Sequence, residues 1–292
     1  MTPLDLAGIL AVMLIWGFNF VVVKWGLALM PPFTFVALRF LVVALLLLPF
    51  IKRPPRWRGL LALSATLGLL HFSLMFTGLK HIDAATAAIA IQLQVPFAAL
   101  LAAVFFKDKI GWRRTAGMAI AFAGVALIAG EPRFEGGLGP LGLVVAAACV
   151  WAFANIQIKR LGESVDVLGL NGWIAALAFP QLLIVAFLTE GNPLGTVPWR
   201  DGGLWAVIGF QAILVTLVGY GIWYRMMRRF PVNQVMPFTL LVPLFGVLSG
   251  ILFLNEPLTW PMAVGGAATL LGVGICVIRR PAVVEPSTKG GL

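Results

Sequence analysis

The residues of this chain able to do chemistry are few, and they lie inside long apolar runs. Arg39 stands in PPFTFVALRF (31–40). A guanidinium binds a carboxylate through two parallel N–H donors, so an arginine here is a site for the acid group of a solute. It lies six residues past Phe33, about 9 Å from the nearer helix end at 1.5 Å per residue. Snorkelling to that end, or a structural pairing, is the plainer reading of the same residue. His71 is the side chain within a run that exchanges a proton near neutral pH, and so the candidate for coupled proton movement. A lone histidine also serves as a satisfied core residue.

Four amides share this setting: Asn19, Asn155, Gln92 and Gln94. Hydrocarbon satisfies none of their polar atoms, so each faces a neighbouring helix or a wet cavity. Trp16 and Trp151 fall near the middle of their runs, although tryptophan prefers the membrane interfaces. A buried indole N–H wants an acceptor, and a polar cavity would supply one; plain helix packing is the alternative. Asn19 and Asn155 follow these tryptophans by about one helical turn, which puts each Trp–Asn pair on one face. Gln92 and Gln94 sit roughly 200° apart on a regular helix, so both reach one cavity only if the turn is distorted. Pro96 supplies a reason for distortion. It lacks an N–H, which leaves the carbonyl of Gln92 without its helical partner. Pro243 does the same to Thr239. Tyr220 adds a hydroxyl.

Other chemistries are missing. Asp5, Asp83, Asp108 and Glu256 stand at the ends of runs, so no carboxylate relay crosses the interior. Cys149 and Cys276 lie inside apolar runs and read as small buried hydrophobes. The sequence holds no metal-ligand spacing, no Gly-x-Ser-x-Gly elbow and no phosphate-binding Gly-rich loop, which argues against an enzyme and against a metal or other cofactor.

The elements that must position these residues are membrane-crossing helices. Ala84 to Phe106, AATAAIAIQLQVPFAALLAAVFF, carries no charge, and about 20 apolar residues cross a bilayer. Over 292 residues the chain is 61% hydrophobic and 11% charged. Such a composition belongs to a polytopic membrane protein. Charges and turn residues divide it into ten apolar segments, at 5–28, 33–51, 59–79, 84–106, 111–130, 138–158, 168–189, 203–227, 233–254 and 260–278. The links are short, which predicts sequential helices packed as antiparallel neighbours. The net charge of +10 points to membrane orientation, not nucleic acid, because the basic residues fall in those short links. Of the 21 Lys and Arg, 16 belong to the even-numbered links and the C-terminal tail, and 3 to the odd-numbered links. That bias places both termini in the cytoplasm.

The second half repeats the first. Trp16 and Lys24 are spaced as Trp151 and Lys159 are. Pro96 matches Pro243 at an offset of 147, which brings Gln92 onto Thr239. Asp108, Trp112, Gly117 and Gly124 match Glu256, Trp260, Gly265 and Gly272 at an offset of 148. A five-helix unit is odd-numbered, so the second copy enters the membrane from the opposite side. Inverted repeats are the architecture of secondary transporters, with the site near the midplane. The expected organisation is a first repeat over 1–132, a second over 133–280, and a disordered cytoplasmic tail over 281–292. Gly117, Gly124, Gly265 and Gly272 allow the fifth and tenth helices to pack closely, as scaffold or as a dimer surface.

WGFNFVVVKWGL (16–27), PPFTFVALRF, IQLQVPFAALL (91–101), VWAFANIQIKR (150–160), VGYGIWY (218–224) and LLVPLFGVLSGILFLNEPLT (240–259) resemble the EamA-type transporters of the drug/metabolite transporter superfamily, across nearly the whole chain. The likeness is nearest to bacterial inner-membrane exporters of amino acids and related metabolites. It implies ten helices in two inverted repeats, with a cavity walled by helices one to four and six to nine. By motif match it carries over Trp16, Asn19, Arg39, Gln92, Gln94, Asn155 and Tyr220 as cavity or gate residues; His71 matches no motif. The expected function is export of amino acids by alternating access from a monomer or homodimer in the bilayer. A carrier or flippase for a lipid-linked group or nucleotide sugar, and a non-transport assembly or sensor protein, are the rival readings.

Overall fold

The computed structural model describes residues 1–51, 56–107, 111–131, 138–161 and 167–277. The expected repeat boundary at 132/133, the matched Asp108 and the tail over 281–292 lie outside them. Helix α1 (Pro3–Leu29) opens on a capping box: the Asp5 N–H donates to Thr2 Oγ1, and the Thr2 N–H donates to the Asp5 carboxylate. Pro31 and Pro32 end it and start α2 (Pro32–Phe50), since proline suits a first turn and no later one. The chain continues through α3 (Trp57–His81), α4 (84–106), α5 (Trp112–Ala129), α6 (Gly139–Leu161), α7 (Val167–Thr189), α8 (Gly202–Arg229), α9 (232–254) and α10 (Trp260–Val277). Among the described residues nine helices are long and apolar enough to cross a membrane. α5 is outside that set, with Arg113 and Arg114 in its first turn, yet it packs along the length of α10.

The two halves share their irregularities. α4 is broken by a 3₁₀ turn at Ile91–Leu93, just before Pro96. α9 is broken by one at Met236–Leu240, just before Pro243. α4 ends on Lys107 at φ 55° and α9 on Asn255 at φ 54°, the two positive-φ non-glycine residues among those described. They are 148 positions apart, the offset of the sequence repeat. α3 and α8 each contain a π-helical stretch, Ser64–His71 and Phe210–Gly219. Nothing in the sequence announced these.

The helices alternate in direction. One end of the bundle, the basic end, therefore carries the start of α1, the end of α10 and most of the described arginines and lysines. The opposite end carries Asp83, Glu131, Glu190 and Glu256, and is called the acid end. Contrary to the expectation from link length, sequential helices are not the main neighbours. α1 packs chiefly on α9, α2 on α7, α3 on α6 and α5 on α10, so the two repeats interdigitate. Short links fix direction and leave the partner to side-chain fit. In the α5–α10 seam that fit is glycine. A Cβ on Gly117 would lie 2.7 Å from the Gly272 carbonyl oxygen, and one on Gly124 would collide with Thr269 and the Gly265 carbonyl. Gly124→Val is expected to destabilise the protein by about 1–3 kcal/mol through overpacking, read as a lower midpoint of thermal unfolding in detergent.

Packing along α4 is uneven. Every residue from Ala84 to Leu93 is buried, whereas from Gln94 to Phe105 only Pro96 is. In α9, Pro243 is the one buried residue between Met236 and Phe245. α4 is thus tight toward the acid end and loose toward the basic end, whereas α9 mixes buried and exposed residues toward the acid end.

Candidate functional site

Arg39 is 4% exposed on α2, and its Nε has no hydrogen-bond partner. Its guanidinium carbon lies 4.6 Å from the centroid of the Phe72 ring and 5.7 Å from that of Phe40. No carboxylate meets it among the described residues. Cation–π contact stabilises a desolvated guanidinium by about 2 kcal/mol, less than the several kcal/mol typical of burying an ion. The side chain therefore keeps a charge and donors that the protein itself leaves unused.

The ring beneath it belongs to a stack. His71 closes the π-helical stretch of α3 and Phe72 follows it, so the wider turn shifts both relative to a regular helix. The His71 ring lies 4.8 Å from that of Trp151 on α6, and His71 Nδ1 is 2.9 Å from the Ala147 carbonyl oxygen. A carbonyl only accepts, so Nδ1 carries the proton and Nε2 is left to accept. Arg39 is near enough for its charge to act on both His71 and Tyr220.

A second aromatic group meets it from α1 and α8. Trp16 packs at 5.4 Å from Tyr220 and 5.5 Å from Trp223. Its indole N–H points to the Val215 carbonyl at 3.4 Å, within the π-helical stretch of α8. Gly219 makes room, since a Cβ there would stand 2.7 Å from the indole nitrogen. Tyr220 stacks on Tyr224 at 5.8 Å, and Tyr224 hydrogen-bonds to the Asn171 side chain on α7. Below this group Gln211 Nε2 donates to Asn19 Oδ1, while the buried Gln211 Oε1 has no partner.

Arg39, His71, Trp151, Trp16, Tyr220 and Asn19 are thus gathered from five helices. Among the described residues no hydrogen bond or ring contact ties the remaining expected site residues to this cluster. Gln92 is 5% exposed within the 3₁₀ turn of α4, where neither it nor the half-buried Gln94 makes a side-chain hydrogen bond. Thr239 serves its own turn, donating to the Met236 carbonyl at 2.7 Å. Asn155, spaced from Trp151 as Asn19 nearly is from Trp16, is exposed where Asn19 is bonded. Phe72, Tyr224, Gln211 and Asn171 complete the cluster. Gln211 had a signal as a further polar group within an apolar run, and Tyr224 as part of VGYGIWY; Phe72 and Asn171 had none.

A second set of contacts closes the acid end. The Glu256 carboxylate accepts from the backbone N–H groups of Ala84 at 2.6 Å and Ala85 at 2.9 Å, capping α4. The Glu190 carboxylate accepts from Phe33 N–H at 2.8 Å, Thr34 N–H at 2.9 Å and the Thr34 hydroxyl at 2.6 Å, capping α2. Each carboxylate follows a helix of the second repeat and caps a helix of the first. Glu131 accepts from the Thr259 hydroxyl, and Lys24 Nζ donates to the Ile82 carbonyl at 2.9 Å. Burial pushes the Glu256 carboxyl above the ordinary range, and Asp83 adds to the rise; the two backbone N–H groups and Lys24 oppose it.

The sequence profile of the EamA-like transporter family matches residues 5–130 and, a second time, 139–278. The chain belongs to the EamA-like transporter family. Its two halves are two copies of the family's domain, and the protein is a multi-pass membrane transporter. This EamA transporter is 32% identical over 290 residues to the "Probable amino-acid metabolite efflux pump" of Salmonella typhimurium, covering 94% of this chain and 97% of that one. It is 31% identical over 281 residues to the protein of the same description from Escherichia coli, covering 92% and 94%. A crystal structure of a protein 17% identical in sequence shares the fold, with a TM-score of 0.63 over 95% of this chain and 98% of that one.

Proposed function

We propose that this EamA transporter exports amino acids and related small metabolites by alternating access, with Arg39 receiving the solute's carboxylate. The observation that carries the reading is a buried guanidinium held only by aromatic rings, near the meeting of the two repeats. The fork geometry of a guanidinium suits a carboxylate. The efflux named for the two relatives supports the same class of solute. Trp16, Trp151 and Tyr220 flank the solute's side chain, and Asn19 with Gln211 offers amide groups to its amine. His71 fixes Trp151. Gln94 and Thr239 line the path along α4 and α9, where Pro96 and Pro243 let the helices bend, with Gln92 at the tight half of α4 and Asn155 contributed by α6.

The basic end faces the cytoplasm on the distribution of Lys and Arg. The tight acid-end half of α4 and its looser basic-end half then correspond to an inward-open arrangement in the bacterial inner membrane. The test is counterflow of labelled amino acids in proteoliposomes, with and without a pH gradient. At least one amino acid is expected to exchange faster than in protein-free vesicles and to be competed by its unlabelled form. No exchange of any amino acid would remove the assignment of cargo.

A further inference from the structure

A groove between α3 and α6 at the basic end has no part in the transport site. It encloses about 480 Å³, and Arg56, Trp57, Arg58, Gln157 and Arg160 are among its walls. All three arginines are exposed, and among the described residues none of them pairs with a carboxylate. They are nevertheless held in place. Arg56 Nη1 donates to the Arg160 carbonyl at 3.1 Å, and the Arg160 guanidinium carbon lies 5.1 Å from the centroid of the Phe105 ring. The first turn of α3 starts here without a side-chain cap, so its leading N–H groups add positive potential to the same groove. The inner wall is mostly apolar, with Gly59, Ala62 and Leu161 beside the amide of Gln157. Gln157 Nε2 donates to Thr66 Oγ1 at 3.1 Å, and the buried Gln157 Oε1 has no partner. Trp57, 60% exposed, is an indole suited to the membrane–water boundary.

We propose that this groove binds the head group of an anionic glycerophospholipid from the leaflet at the basic end. Three arginines and an open helix start want a phosphate. The unpaired Gln157 oxygen, closed off from solvent, takes a hydroxyl donor once its amide turns toward the groove. Both occur together in a phosphatidylglycerol head group, whose phosphodiester meets Arg56, Arg58 and Arg160 while a glycerol hydroxyl meets Gln157. A zwitterionic head group would bring its own cation against the arginines.

The experiment is native mass spectrometry of the full-length transporter, titrated with phosphatidylglycerol, phosphatidylcholine, phosphatidic acid or inorganic phosphate. One phosphatidylglycerol per chain is expected to bind at least about tenfold more tightly than phosphatidylcholine. Arg56→Gln with Arg160→Gln is expected to erase that preference. Both positions are exposed, and an unchanged thermal midpoint in detergent would show that the double variant remains folded. Gln157→Leu is expected to abolish the preference for phosphatidylglycerol over phosphatidic acid, which lacks the glycerol hydroxyl. Equal retention of phosphatidylcholine, or a preference unaltered in the folded double variant, would overturn the proposal. So would displacement of the lipid by millimolar inorganic phosphate, which would mark a site for a soluble anion.

Discussion

Arg39→Met is expected to lower amino-acid counterflow by roughly a hundredfold while leaving the fold as stable as before, or more so. The two expectations have one physical source. Removing the partner of a buried, hydrogen-bonded charge costs 2–5 kcal/mol of binding, and about 2.7 kcal/mol is a factor of a hundred. The same guanidinium, empty, is a buried cation served only by Phe72 and Phe40, so an apolar side chain of similar volume relieves a desolvation cost. Arg39→Lys is expected to recover little, because an ammonium is a point charge without the fork. Counterflow and the thermal midpoint, measured on one preparation, separate the cases. A loss of transport that tracks a loss of stability would make the arginine structural. Transport that survives Arg39→Met would refute its role.

The second large effect is expected at the acid end. Glu256→Ala with Glu190→Ala should open it. Each carboxylate caps the start of a helix from the other repeat, and such a cap is worth about 0.5–2 kcal/mol, with charge-assisted bonds at the upper end. Losing both weakens closure by roughly 2–4 kcal/mol, or tenfold or more in the open fraction. A cysteine at Ala87, buried in the first turns of α4, reports it. In a background with Cys149 and Cys276 replaced by serine, its labelling by a charged thiol reagent is expected to accelerate by that factor. An unchanged rate in the double variant would show that the carboxylates do not hold the end shut. The pH dependence has a definite sign. Burial raises the Glu256 carboxyl, so the closed form binds a proton more tightly than an open form with a solvated carboxyl. Relative to the double variant, whose cysteine titrates in the same way, acid should therefore slow the labelling, between the ordinary glutamate range and the raised value, and alkali should restore it.

How much of this was legible in the sequence depended on the range of the interaction. The spans were legible because a bilayer demands long uncharged runs. The breaks in α4 and α9 were legible because Pro96 and Pro243 remove a hydrogen bond at a countable distance. The 3₁₀ turns at Ile91–Leu93 and Met236–Leu240 fall where the count puts them. Arg39 stood out by type alone. Its cradle did not, since Phe72 is a common residue until α3 and α2 are packed together. The π-helical stretches of α3 and α8 left no mark, because an extra residue per turn is chosen by tertiary fit. Asn19 and Asn155 looked equivalent by spacing, yet only Asn19 meets an amide, Gln211, from another helix. Glu256 read as a charge at the end of a run, and Glu190 carried no reading; the work of both is done on residues more than 150 positions away.

Everything proposed for transport turns on whether the Arg39 guanidinium is the acid-group receptor. The most direct measurement is equilibrium binding of one transported amino acid and of its carboxamide, to the native protein and to Arg39→Met. The native protein is expected to prefer the acid by at least about tenfold, and the variant to bind both weakly and alike. Equal binding of acid and amide by the native protein, or a preference that survives in the variant, would contradict it.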